Sequence, residues 1–399
     1  MKKLLLGTAV AAMGFAFAAP ASAANGVKLE LGGHYKGYVF WQDQDVDAAA
    51  DAAGLDARSI DAVREPEIHF TGETTLDNGM TVGAHFEIQA GGQYAGRMGN
   101  TNDGQFEESY LYFSGSWGRV NFGAEDGAAY LLQVAAPSAD SNYDGIRQYV
   151  SPFNYDATLT NAPTGTAHLT PLGGTTTTTA VDTVFDYAQD LTVYKEKITY
   201  LTPVLNGFQA GVSYTPEMGW DNGYNGAFGT NIDDQNNDLG SGYEVAARYE
   251  GMFQQVGFVI GGGYTLIDLE DTTAASGHDD NEAWNVGADF NFGPFGLGVV
   301  YTEDNQARDN DSDKQTWVVG ADYTTGPFKI GASYLNRDEE LGTGAGDWET
   351  DRYTGGVTYT YGPGMTFRGS ISYIEHDAPA GNGEDMDGTA VLLGTQIDF

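Results

Sequence analysis

Hydrophobic and polar side chains alternate with a period of two along most of this chain. The C-terminal stretch is representative: Val391, Leu393, Thr395, Ile397 and Phe399 fall on one face of a strand, and Leu392, Gly394, Gln396 and Asp398 on the other. Successive side chains leave a pleated strand on opposite sides, so this pattern predicts strands with one apolar and one polar face. Breaks at Gly, Asn, Asp and Pro divide the chain into sixteen predicted strands. They lie near 26–42, 65–76, 80–90, 105–115, 118–125, 193–203, 207–216, 242–252, 256–269, 282–292, 295–304, 315–325, 327–337, 350–361, 365–375 and 388–399. Their connections alternate in length. Asp77-Asn78-Gly79, Ser116-Trp117, Leu205-Asn206, Gly293-Pro294, Gly326 and Gly362-Pro363-Gly364 are turns, whereas 217–241, 270–281, 305–314, 338–349 and 376–387 are long, polar and acidic.

No stretch after the N-terminus is long and apolar enough for a spanning helix. A closed barrel is the other structure that satisfies every backbone group inside a bilayer. Short turns on one rim and long loops on the other match a bacterial outer-membrane barrel, with the short rim toward the periplasm. The second hairpin fixes a register. With Ile68, Phe70, Val82, Ala84, Phe86 and Ile88 outward, residues that face each other must have an even sum. A three-residue loop ending on a left-handed Gly79 meets that condition and predicts His69 opposite Glu87 and Thr71 opposite His85.

The first residues carry a different signal. Lys2 and Lys3, the apolar run Leu4–Ala19 and Ala21-Ser22-Ala23 form a secretory signal peptide, predicted to span 1–23 and leave a single domain at 24–399. The chain has 18 Lys+Arg against 56 Asp+Glu; without Lys2 and Lys3 the formal charge is 16 − 56 = −40. That excess excludes nucleic acid as a partner. With 0 Cys, neither a disulfide framework nor a thiolate metal site is available. The 13% aromatic content and 56 Gly suit a barrel with interfacial aromatic girdles and tight turns.

Two segments carry a family resemblance. Glu196-Lys-Ile-Thr-Tyr-Leu-Thr-Pro-Val-Leu-Asn-Gly-Phe-Gln-Ala-Gly-Val-Ser-Tyr-Thr-Pro216 resembles the strand–turn–strand signature that follows the third loop in Gram-negative general porins, of the alphaproteobacterial type. Tyr110-Leu-Tyr-Phe-Ser-Gly-Ser-Trp-Gly-Arg-Val-Asn-Phe-Gly123 is similar to the hairpin that leads into that loop, and Phe399 matches the terminal residue presented to the barrel-assembly machinery. The resemblance implies an all-β fold, a 16-stranded antiparallel transmembrane β-barrel with a long inward-folded third loop, here the constriction loop region 126–192. It also implies a homotrimer in outer-membrane lipid and lipopolysaccharide, with one water-filled channel per subunit for passive diffusion of small hydrophilic solutes and ions. Within 126–192, Ile146–Phe153 could form an extra β segment, and Thr175–Thr179 is of low complexity.

In the family, basic wall residues face acidic residues of the inward loop. Alternation puts Lys28, Glu30, His34, Lys36 and Tyr38 inside on the first strand, and His69, His85 and Glu87 inside on the next two. His34, Lys36, His69 and His85 are the wall candidates, extended by Arg64 and Arg97; Asp126, Asp140 and Asp144 are the candidate loop carboxylates. Histidines titrate near pH 6.5, so conductance is expected to respond to pH between 5 and 8. The negative vestibule predicts a mild cation preference. His34, His69 and His85 have no local spacing that specifies a metal site. Asp309-x-Asp311-x-Asp313 opens like a calcium loop, but Lys314 and Gly320 stand where such a loop needs glycine and glutamate. No cofactor is called for, beyond a divalent cation that the acidic loops, such as Asp233-Asp234 with Asp238, could attract. No phosphate loop, His-Glu-x-x-His or Gly-x-Ser-x-Gly elbow is present, so the chain does not read as an enzyme. A substrate-specific sugar or nutrient channel, or an adhesive barrel, is the alternative reading.

Overall fold

A computed structural model describes residues 26–46, 58–89, 105–138, 146–147, 152–153, 168–169, 175–176, 186–218, 238–270, 279–308, 313–340, 346–380 and 385–399. Sixteen strands close into one antiparallel barrel. The first half comprises β1 (Lys28–Val46), β2 (Ile60–Thr75), β3 (Thr81–Gln89), β4 (Gln105–Gly115), β5 (Gly118–Ala124), β6 (Glu196–Leu201), β7 (Phe208–Thr215) and β8 (Asp238–Phe253). The second comprises β9 (Val256–Glu270), β10 (Asn281–Phe292), β11 (Phe295–Asp304), β12 (Lys314–Thr325), β13 (Phe328–Glu340), β14 (Asp347–Gly362), β15 (Met365–Asp377) and β16 (Met386–Asp398). Each strand pairs with its neighbour in sequence, and β1 closes on β16 from His34↔Asp398 to Val46↔Met386.

The period-two faces are as expected from the alternation. Leu393 is 64% exposed on the outside while Leu392, one residue away, is fully buried inside. Outward rings gather at two levels. Near the short turns, Phe292 stacks on Phe295, Phe295 meets Tyr323, and Phe328 meets Tyr359. Farther along the strands, Trp284, Tyr301 and Trp317 form one contiguous group, and Tyr334, Tyr353 and Tyr373 another. Six residues separate Phe295 from Tyr301, and eight separate Phe292 from Trp284. At about 3.4 Å per residue and a tilt near 40°, that is roughly 16–21 Å, close to the height of a lipid-facing apolar band.

The second hairpin has the expected register: His69↔Glu87 and Thr71↔His85 are paired, and Gly79 sits at φ 82°. Strands overrun the sequence boundaries at the long-loop rim, where β2 begins at Ile60, β13 ends at Glu340 and β14 begins at Asp347. Asp338↔Glu349 and Glu340↔Asp347 continue the ladder there. Above the lipid the outward face is no longer held to apolar residues, so the backbone pairing continues after the hydrophobic contrast has faded. The extra β segment expected at Ile146–Phe153 is not found at Ile146, Arg147, Pro152 or Phe153, none of which is in a strand. A two-residue pairing of His168–Leu169 with Thr175–Thr176 occurs instead.

Residues 126–138 and 186–192, with Ile146, Arg147 and Phe153, pack against the inner side of the barrel. A single helical turn, α1 (Ala128–Leu131), begins where the Ala128 N–H donates to Ser213 Oγ on β7 at 2.8 Å. From there the chain runs over inward-facing glycines. A Cβ at Gly263 would meet Ala129 at 3.1 Å, one at Gly287 would meet Val134 at 3.0 Å, and one at Gly298 would meet Pro137 Cδ at 2.5 Å. Gly320 likewise leaves room for the Pro137 carbonyl. Glycine permits this because it lets another backbone approach the sheet closely.

Candidate functional site: the lumenal wall and the inward segment

The wall opposite this glycine track is built on β1 to β4, whose inward positions carry ionisable side chains. His34, His69 and His85 step across three adjacent strands with ring centroids 6.3 Å and 5.6 Å apart, and Tyr110 on β4 follows at 5.3 Å. Carboxylates fill the spaces between them. Glu67 Oε2 lies 3.2 Å from His69 Nε2, and Glu87 Oε2 lies 3.5 Å from the same nitrogen. The register shifts between Glu87 and Ile88, where Glu87 faces Glu108 and Ile88 faces Phe106. This bulge leaves Glu107 unpaired in the ladder and buried beside inward Glu108. A one-residue bulge re-aims side chains in this way.

Lys36 is inside, as its parity requires, but it does not offer an open positive charge. It is 3% exposed, and its Nζ sits 2.9 Å from Glu65 Oε2. His34 Nε2 shares that same oxygen at 2.7 Å. The wall is therefore carboxylate-rich, with Glu65, Glu67, Glu87, Glu107 and Glu108 around one lysine and three histidines. This corrects the expectation of a basic wall. Arg64 is a second correction: it pairs with Gly37 on the face of Tyr35 and Val39 and is exposed on the outside of the barrel, not in the lumen. One backbone step from inward Glu65 puts it there, because strand faces alternate. Arg97, Asp140 and Asp144 lie outside the described residues.

Asp126 was expected to face the wall across the lumen; instead it is held within the inward segment. Arg147 Nη2 donates to Asp126 Oδ1 at 2.8 Å and to Asp190 Oδ2 at 2.6 Å, and Nη1 donates to the Tyr194 hydroxyl at 2.7 Å. The guanidinium also stands 4.2 Å from the centre of the Tyr130 ring. One buried cation thus joins the start of the segment, just after β5, to its end, just before β6. A second ply reinforces the first: Gln133 Nε2 donates to the Tyr187 carbonyl at 2.7 Å, and the Gln189 N–H donates to Gln133 Oε1 at 2.9 Å. Gln189 Nε2 then reaches Thr265 Oγ1 on β9 and the Ala283 carbonyl on β10. Beside this clasp, burial pushes the Glu125 carboxyl up to about 7 against the pull of Arg119, Asn121 and Lys197.

Apolar contacts hold the remaining described parts. Ala136, Tyr187 and Ile146 pack on inward Val300, Val318 and Leu335. Phe153 packs with Tyr38, Phe40, Val63, Ile374, Met386, Ala390 and Leu392, on β1, β2, β15 and β16. Sequence reasoning missed Glu65, Glu107, Arg147 and Asp190. Arg147 carried one usable signal, being the sole Lys or Arg between Asp126 and Thr192.

The family model described as Gram-negative porin matches residues 7–379. No curated protein matches the chain. Among solved structures, the anion-selective porin from Comamonas acidovorans is similar at 17% identity and a TM-score of 0.59, over 94% of this chain and 100% of that one. A porin refined at 1.8 Å is similar at 18% identity and a TM-score of 0.55, over 93% and 100%. A triple mutant of the porin of Rhodopseudomonas blastica follows at 16% identity and a TM-score of 0.51, over 93% and 100%.

Proposed function

Because this chain belongs to the Gram-negative porin family, and is on that account an outer-membrane channel for passive diffusion, we propose that small hydrophilic solutes and ions cross it with a mild preference for cations. The observation that carries the preference is the acidic wall of Glu65, Glu67, Glu87, Glu107 and Glu108, within which Lys36 is already paired with Glu65. Carboxylates along an aqueous neck raise the local cation concentration. The anion-selective character printed for the Comamonas acidovorans porin belongs to that protein, which shares 17% of its residues with this one.

The space between this wall and the two-ply segment on the glycine track is the constriction in this reading. An apolar solute entering it sheds water without compensation, whereas a polar one exchanges hydration for carboxylate and imidazole contacts. The channel works as a homotrimer embedded in lipid and lipopolysaccharide, after cleavage of residues 1–23 and delivery of the Phe399-terminated strand to the assembly machinery. Planar-bilayer recording tests the reading: stepwise currents closing in threes, with a reversal potential favouring potassium over chloride in a salt gradient. Replacing Glu67 and Glu87 together by Gln should move that reversal potential toward chloride. A sealed membrane would refute the channel, and chloride preference in the unmodified protein would refute the selectivity.

A further inference from the structure

We propose that the β1–β4 wall binds one divalent transition-metal ion of the zinc class, held by His69, His85 and Glu87. The proposal rests on the reading of this lumen as water-filled, since the ion must arrive through it. Candidate ligand atoms of these three residues all lie within 4.8 Å of one another. Their spacing is that of a coordination shell. Zinc bonds to nitrogen or oxygen of about 2.0–2.1 Å in a tetrahedron put neighbouring ligand atoms about 3.4 Å apart. His69 Nε2 lies 3.5 Å from Glu87 Oε2, and His85 Nε2 lies 3.9 Å from the same oxygen. These separations exceed those of a hydrogen bond.

The outer partners are already in place. His85 Nδ1 is 2.8 Å from Thr71 Oγ1, which leaves Nε2 turned toward Glu87. A metal-bound imidazole needs such a contact on its other nitrogen to fix ring and tautomer. On the neighbouring strand His34 is held the same way, with Nε2 on Glu65 at 2.7 Å and Nδ1 3.5 Å from Glu67 Oε2. His34, Glu67 and His69 form an overlapping set. Because His69 offers Nε2 to both Glu67 and Glu87, the two sets share one imidazole and hold one ion between them. Three protein ligands leave the fourth position to water from the lumen. Two imidazoles select zinc-like ions over calcium or magnesium, which prefer an all-oxygen shell. The surplus of carboxylates on this wall supplies the negative charge the ion neutralises.

The test uses the folded protein in detergent, stripped with EDTA and titrated with Zn2+ by calorimetry, and the same protein in planar bilayers. The expected result is one Zn2+ per chain at micromolar concentration, unaffected by millimolar Ca2+. Binding should be weakened at least tenfold in His69→Ala and in His85→Ala, and by 10- to 100-fold in Thr71→Val, which only frees the far nitrogen of His85. Heat-modifiable gel migration verifies that each variant is folded. Micromolar Zn2+ should also reduce the current, and EDTA should restore it. Folded protein that takes up no Zn2+ at 100 µM, or whose two histidine variants bind it as tightly as the unmodified protein, or that loses it to Ca2+, overturns the site. Zinc binding by a protein that conducts nothing would instead sink the channel reading and leave the site standing.

Discussion

Replacing Arg147 by Met should release the inward segment. The guanidinium is buried, with two carboxylates at 2.8 Å and 2.6 Å and a tyrosine hydroxyl at 2.7 Å. Methionine fills much of the same volume but leaves buried Asp126 and Asp190 without the cation that pairs them. Breaking a buried ion pair by removing one partner costs about 3–5 kcal/mol. At about 1.4 kcal/mol per factor of ten, the released population rises roughly 10²- to 4 × 10³-fold. The inward contacts of Gln133, Gln189 and Tyr187 oppose that release, so the lower end of the range is expected. Arg147→Lys should fall between, because a point charge cannot span two carboxylates as a planar fork does. Arg147→Met combined with Asp126→Asn and Asp190→Asn should recover most of the loss, since no unpaired charge remains. Limited proteolysis within 126–192 and single-channel recording read the effect: faster cleavage and a larger, noisier current for Arg147→Met, and near-normal behaviour for the triple variant. Unchanged proteolysis and current in Arg147→Met would show that the segment is held without the clasp.

The glycine track gives another test: Gly298→Ala and Gly320→Ala force Pro137 away from the wall. The Cβ at Gly298 starts 2.5 Å from Pro137 Cδ, and overpacking of this kind costs about 1–3 kcal/mol. Both should alter conductance, whereas Gly355→Ala, whose Cβ meets only Ile371 at 3.9 Å, should not. For Glu125, the folded protein holds its proton up to about 7 against an ordinary value of 4.5. Its stability contribution is therefore fully present below pH 4.5 and is lost as pH rises through 7, a difference of up to about 3 kcal/mol. Glu125→Gln should flatten the fall in barrel melting temperature between about pH 4.5 and 7, as read by heat-modifiable gel migration; an identical slope in both proteins would contradict the assignment.

The strands and their faces were legible because lipid on one side and water on the other impose a contrast at every second residue. The β2–β3 register followed from parity together with one glycine at the turn. The same parity places Arg64 outside with Phe70, but the strand's true start at Ile60 lies beyond the lipid, where the pattern carries no contrast. Glu65 at that frayed boundary was missed too, and with it the neutralisation of Lys36. The Glu107 bulge leaves no trace in a period-two reading, since one extra residue looks like a shifted frame. Arg147 and Asp190 meet only through the path of a long segment, which has no periodicity to read.

Phe153 and Val134 belong to one continuous segment yet press on opposite sides of the interior, Phe153 among Tyr38, Leu392 and Ile374, and Val134 on Gly287. Two points of one chain are thus anchored to opposite sides of the shell. A ring of sixteen strands has no filled centre to keep it round, and lateral pressure from the bilayer tends to flatten such a ring into an oval. Side chains packed against both walls, Phe153 on one and Val134 on the other, would oppose that ovalisation from within.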